Sequence, residues 1–311
     1  MMGPNMATFL VASLNCHNLF EVGVHGNRGP KSQISLSAKI ADLAATLNNT
    51  SGGVPDIIAL CEVGEETLGI RLANKLKPGF YSTLWSGTTD PSQTGLMLCY
   101  NRNLVQHTAM ADDRTTRGAG QRCKWFAVEL QLRVGSRAHF WLVLNHWKSQ
   151  IGGEAQTDIS RSNSASEVGA FFLGTARRSS EAMLLIGDFN CEPAANPFKK
   201  PANQLRATRE RAIVLRDRNR LAYFYNPMWR LHGEADDYET TQKAGYKPPR
   251  PPGTYCPINQ RVGWLVLDQV MVSKRLLTGG PLRILESSLR IVESHARCSD
   301  HCALVVQFEH I

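Results

Sequence analysis

Several apolar runs in this chain stop at a residue able to hold a metal, move a proton or grip a phosphate. "LLIGDFN" leads a greasy stretch into Asp188 and Asn190. "SLNCHNLF" ends one at Asn15, "IIALCEV" at Glu62, and "LVLNHWKSQ" at His146 and Lys148. Alternation along an extended chain would turn those last two side chains the same way. "WLVLDQVMVS" reads as a strand with Asp268 in its middle, and "RCSDHCALVV" sets Asp300 and His301 just before the final strand. Each residue also has an ordinary structural use. Asp188 and Asn190 can close an Asx-turn, Asn15 can cap a turn, Glu62 can complement a helix start, and His146 can sit satisfied in a core. Asp268 is harder to dismiss, because a buried unpaired carboxylate costs several kcal/mol, about 3–5. It needs a partner, and a histidine is the natural one.

As chemistry, Glu62, Asp188, Asn190 and Asp300 offer hard oxygen atoms. These suit Mg²⁺, Mn²⁺ or Ca²⁺ rather than zinc. His146 and His301 supply acid–base groups near neutral pH. Carboxylate-held metal with a histidine–carboxylate pair is equipment for phosphoryl transfer, in which a cation neutralises the phosphate and a positioned water attacks.

The elements that must carry these residues are mostly strands. Apolar runs recur at "TFLVASL", "DIIAL", "GLMLCY", "WFAVELQL", "HFWLVLNH", "AMLLIGD", "WLVLDQVMVS" and "ALVVQFE". Helical spacing appears over 34–47, where Ile40, Leu43, Ala44 and Leu47 share a face, over 157–178, and over 65–76. Strands mixed with few helices predict an α/β sandwich of two packed sheets with helices outside, as one domain over 1–311 with its core over 8–309. The segment 226–260 contains "KPPRPPGTY" and reads as a long ordered loop.

The bulk composition narrows the partners. The chain has 311 residues, 42% hydrophobic and 20% charged, enough for a substantial core. Its net charge of +8 favours a polyanionic partner. The eight cysteines form no CxxC pair, and most lie in apolar runs, so free buried thiols are expected. The start of the chain reads as a short leader into a strand rather than a signal peptide, and no window resembles a membrane span. A cytoplasmic location is the expectation.

In order, "LNCHNLF", "LCEV", "NHWKS", "GDFNCEP", "LDQVMVS" and "SDHCALVV" resemble the endonuclease/exonuclease/phosphatase superfamily, the group of deoxyribonuclease I and the exonuclease III-like abasic endonucleases. The resemblance spans nearly the whole chain. It implies a four-layer α/β sandwich, mainly antiparallel, with the site where strand ends of the two sheets meet. It also implies roles. Glu62 would be the principal metal ligand with Asn15 beside it, and Asp300 a second metal-side carboxylate. Asp188 and Asn190 would position water or phosphate. His301 would face the phosphate, oriented by Asp268, and His146 would be the other catalytic histidine. The base would be Asp188 or the His301–Asp268 pair. Arg122 matches a phosphate-contacting arginine, with Arg117 and Lys124 as weaker candidates, and Lys148 would face the same phosphate.

The implied activity is a Mg²⁺- or Mn²⁺-dependent phosphodiesterase, with DNA as the leading substrate and endonuclease action. The alternatives are an RNA nuclease, an enzyme of small phosphorylated molecules or phospholipids, or a binding protein that kept the fold. Charge, the basic "KPPRPPGTY" loop (Lys247, Arg250, with Tyr246 or Tyr255 to stack) and "VGWLVLD" lean toward nucleic acid. Trp264 is either a sugar-pocket residue or core. A regulatory protein partner is a further expectation. "YNPMWRLHGE" (225–234) is similar to bacterial members of the superfamily and names no substrate.

Overall fold

The computed structural model describes residues 7–24, 28–50, 52–88, 93–113, 123–174, 181–199, 205–217, 222–232, 251–255, 263–278, 280–295 and 298–310. Two mixed sheets face each other. One has the order β12 (Leu282–Val292), β13 (Ala303–His310), β1 (Ala7–Leu19), β2 (Ile57–Val63), β4 (Gly95–Asn101), β3 (Tyr81–Trp85). The other runs β5 (Val105–Asp112), β6 (Trp125–Leu132), β7 (His139–His146), β8 (Ala182–Asp188), β11 (Asp268–Val272), β10 (Ala222–Tyr225), β9 (Leu205–Thr208). Helices α1 (Gln33–Asn48) and α2 (Glu66–Leu76) cover the first sheet. Helix α3 (Glu154–Leu173) covers the second, and a short α4 (Arg211–Arg216) lies near its β9 edge. The result is a four-layer α/β sandwich. Most strand pairs are antiparallel; β1–β2, β7–β8 and β9–β10 are parallel.

Alternation decides where the polar strand ends point. Phe9 and Val11 of β1 pack between the sheets, while Leu10, Ala12 and Leu14 face the helices. Asn15 therefore falls on the inter-sheet face. The same parity holds for Leu142 and Leu144 before His146, for Leu184 and Ile186 before Asp188, and for Val270 and Val272 after Asp268. Strands buried on both faces read as nearly continuous apolar runs, which is why they were legible.

Two backbone devices depart from alternation. Leu60 and Val63 of β2 both face the helices, three positions apart, because Glu62 between them adopts φ +60° and shifts the register. That left-handed residue frees the Glu62 side chain from the helix face. Gly187 has φ +124°, and a Cβ there would lie 2.3 Å from the Asn145 carbonyl oxygen. Only glycine lets β7 and β8 run this close while His146 sits opposite Asp188.

Some expectations need correction. Asp268 is the first residue of β11, not a mid-strand residue; Trp264–Leu267 precede the strand, with one bridge from Leu265 to Tyr255. Helix α3 starts earlier than expected, at Glu154, and runs to Leu173; the expected stretch over 175–178 lies outside the described residues. Strands β3, β5, β9, β10 and β12 were not anticipated; β3, β5, β9 and β12 are partly exposed and carry weaker signals, and the mostly buried β10 is only four residues long. All seven described cysteines are free, and all but Cys298 are buried. Among the described residues, no helix is long and apolar enough to cross a membrane.

Candidate active site

The parallel pairs β1–β2 and β7–β8 bring their C-terminal ends to one side of the sandwich, where antiparallel β11 begins opposite Asp188. Asn15, His146, Asp188, Asn190, Asp268 and His301 meet there, all buried. Asp188 is the hub. Its Oδ2 accepts from Asn15 Nδ2 at 3.1 Å and from Asn190 Nδ2 at 2.9 Å, and its Oδ1 accepts the Asn190 backbone N–H at 2.8 Å. Asn190 takes φ +52° to make this turn, so the Asx-turn reading and the functional one describe the same geometry.

His301 Nδ1 lies 2.7 Å from Asp268 Oδ2, the partner that Asp268 was expected to need. The other ring nitrogen, Nε2, faces Asp188 at 3.9 Å and Asp300 at 4.0 Å. Burial by itself lowers the His301 pKa, but Asp268, Asp188 and Asp300 outweigh it and raise it to about 10. Burial raises the Asp268 carboxyl, against the opposing pull of His301. The surrounding carboxylates favour the charged imidazolium, against the cost of burying it.

Glu62 is partly exposed at the mouth. Its Oε1 lies 3.3 Å from Asn15 Nδ2 and 3.4 Å from His146 Nε2, and its Oε2 accepts the Asn18 N–H at 2.8 Å. Next to Asn18, His17 Nδ1 lies 3.6 Å from Asp300. Consecutive residues of the β1 bulge, both with positive φ, thus hold the two mouth carboxylates. His146 Nε2 is also 3.7 Å from Asp188 Oδ2.

The tightest group of metal-capable side chains among the described residues is Asp188, Asp268 and His301, with ligand atoms within 4.8 Å of one another. Its chemistry argues against a cation there, since Asp268 and His301 are committed to each other and the ring is positively charged. Glu62 and Asp300, partly exposed and oxygen-bearing, fit a hydrated hard cation better.

Other sequence candidates fare differently. Lys148 lies beyond the end of β7 and is exposed while His146 is buried, so strand alternation does not align them. Lys124 pairs with Glu167 of α3 at 3.0 Å. Trp264 is 37% exposed and is not core. Arg117, Arg122, Tyr246, Lys247 and Arg250 lie outside the described residues. Sequence reasoning missed several supports. Ser299 donates to the Asn15 carbonyl at 2.7 Å and accepts the His301 N–H at 3.0 Å. Thr254 Oγ1 accepts the N–H groups of Leu267 and Asp268, both at 2.9 Å. Tyr255 bridges to His301, with ring centroids 4.8 Å apart. Lys39 of α1 donates to the His17 carbonyl, and burial lowers its pKa against the pull of Cys16, Cys298, Glu62 and Asp300. Of these, Ser299 carried a signal as the first letter of "SDH", and Tyr255 was expected to stack on a base rather than to pack against His301.

A buried histidine–carboxylate pair thus faces further carboxylates where the strand ends of the two sheets meet. The chain belongs to the endonuclease/exonuclease/phosphatase family, whose model matches residues 12–301. Members of this family are hydrolytic enzymes, many of them metal-dependent phosphoesterases. Among curated proteins none matches the chain in sequence. Solved structures share the fold. The human Nocturnin catalytic domain with bound sulfate is 16% identical, with a TM-score of 0.60, covering 99% of this chain and 97% of that one. D. rerio TDP2 complexed with a single-strand DNA product is 14% identical, with a TM-score of 0.56 and coverages of 97% and 99%. ANGEL2, a 2',3'-cyclic phosphatase in complex with adenosine-2',3'-vanadate, is 12% identical, with a TM-score of 0.58 and coverages of 98% and 96%.

Proposed function

We propose that the chain, read as a single domain, is a metal-dependent phosphodiesterase that cleaves DNA internally by in-line attack of water. The convergence of Asp188, the His301–Asp268 pair and Glu62 at one end of the two sheets carries this reading. Glu62 and Asn15 would hold the divalent cation, Mg²⁺ or Mn²⁺, with Asp300 at the same mouth. When bound, the cation would neutralise the phosphate and stabilise its developing charge.

The protein's own groups divide the remaining work. Asp188 Oδ2, held by Asn15 and Asn190, orients the attacking water and takes its proton. His301 is unsuited to that task. Its Nδ1–H is given to Asp268, and the carboxylates around it keep the ring protonated, so Nε2–H donates to a phosphate oxygen. His146 Nε2 supports the leaving-group side. The net charge of +8 favours a polynucleotide over a small neutral substrate.

The test is supercoiled plasmid with Mg²⁺ or Mn²⁺, beside EDTA and an Asp188→Ala variant. Nicking that needs both metal and Asp188 is expected. An intact plasmid under conditions where the wild type hydrolyses a chromogenic phosphodiester would overturn the DNA assignment.

A further inference from the structure

The segment around Trp229, which the catalytic geometry does not use, is fastened to it. Asn226 and Gln269 are fully buried; Asn226 Nδ2 donates to Gln269 Oε1 at 2.7 Å, and Gln269 Nε2 donates to the Cys191 carbonyl. Asn226 Oδ1 accepts the Met228 N–H at 3.0 Å and so caps the single-turn helix Pro227–Arg230. Gln269 directly follows Asp268, and Cys191 directly follows Asn190. Buried amides must be hydrogen-bonded to be tolerated, so this relay sets the turn against the catalytic strands. A second tie holds its far end. His232 Nε2 lies 3.0 Å from Glu192 Oε2, and Glu192 Oε1 accepts the Val266 N–H at 2.9 Å.

The turn holds Trp229 partly exposed, with its indole Nε1 buried. The guanidinium of Arg209 sits over the indole, 5.5 Å from the ring centroid, and the His232 ring lies 5.7 Å away. Arg209 is exposed and makes no ion pair among the described residues. An arginine packed on an aromatic face keeps its planar N–H fork oriented while the outer edge stays open to an oxyanion. A cation beside an aromatic ring is the combination by which single-stranded nucleic acid is held, a phosphate on the one and a base on the other. In a duplex the base faces are stacked inside and out of reach.

We propose that Arg209 and Trp229 form a docking site for one phosphate and one base of a single-stranded polynucleotide, flanking the bond cut at Asp188. The proposal rests on the phosphodiesterase reading above.

Binding of fluorescein-labelled oligo-dT, oligo-U and a duplex of equal length would be followed by anisotropy in EDTA, using the full chain. Arg209→Ala should weaken single-strand binding about 10-fold and lower the salt slope by about one. Trp229→Ala should weaken it about 5- to 100-fold, and Trp229→Phe by less. Melting curves confirm that the variants fold. Lys75→Ala, an exposed lysine on α2, is the charge-matched control and should bind as the wild type does. Arg209→Ala binding single strands as tightly as Lys75→Ala, with plasmid still cut, would overturn the docking site and leave the phosphodiesterase reading standing. Arg209 dependence confined to the duplex would overturn it as well. A wild type that neither binds nor cleaves any of these would remove both.

Discussion

Replacing Gly187 with alanine tests the claim that close approach of β7 and β8 builds the site. Two costs add. The residue has φ +124°, which a side chain disfavours by about 1–3 kcal/mol. The new Cβ would lie 2.3 Å from the Asn145 carbonyl oxygen and 3.0 Å from its nitrogen. Relieving that clash within a buried ladder adds about 1–3 kcal/mol. The total of about 2–6 kcal/mol is a large share of the 5–15 kcal/mol of roughly typical domain stability. Gly23→Ala is the reference: φ is +83° there and nothing lies within 4 Å, so only the backbone cost of about 1–2 kcal/mol applies. Urea unfolding followed by tryptophan fluorescence compares the two. The same shift would move His146 from its register with Asp188, and a misplacement of about 1 Å lowers hydrolysis roughly 100-fold. Gly187→Ala costing no more than Gly23→Ala, with normal hydrolysis, would refute the reasoning.

Asp268→Asn removes the charged acceptor 2.7 Å from His301 Nδ1, a bond worth about 1.5–3 kcal/mol. Phosphodiester hydrolysis should fall roughly 10- to 100-fold while the fold persists, and turnover within threefold of wild type (about 0.6 kcal/mol) would contradict it. The raised pKa of His301 predicts a pH-dependent melting temperature. Its contribution is complete below the free value of 6.5 and is lost as pH rises through about 10. The wild type should therefore lose stability across that window more steeply than His301→Gln; parallel curves would count against the ion pair. Burial pushes up the thiol pKa values of Cys16, Cys61, Cys99, Cys191 and Cys298, but among the described cysteines Cys298 alone is partly exposed. Iodoacetamide on the native protein should label Cys298 first, and early labelling of Cys61 or Cys191 would show that their shielding is wrong.

Local pattern carried much of this protein. Doubly buried strands announce themselves as apolar runs, and a polar residue ending such a run must be satisfied, so Asn15, Glu62, His146, Asp188 and His301 were visible as letters. The order of the motifs carried the family. The edge strands were not legible, because β5 and β9 are half exposed and lack a continuous apolar signal. Asp268 was seen but misplaced by four residues of apolar chain that precede β11 without joining it.

Tertiary structure decided the rest, because the site joins atoms far apart in sequence. Asn15 meets Asp188 across 173 positions, and Ser299 reaches Asn15 across 284. Which strand ends become neighbours follows from sheet order and the facing of the two sheets, which no local spacing encodes. The left-handed turns at His17, Asn18, Glu62 and Asn190 re-aim side chains that simple alternation would send elsewhere. The relay from Cys191 through Gln269 and Asn226 to Trp229 likewise exists only once three separate segments are packed together. Sequence determined which residues could do chemistry; packing of the two sheets determined which of them face one another.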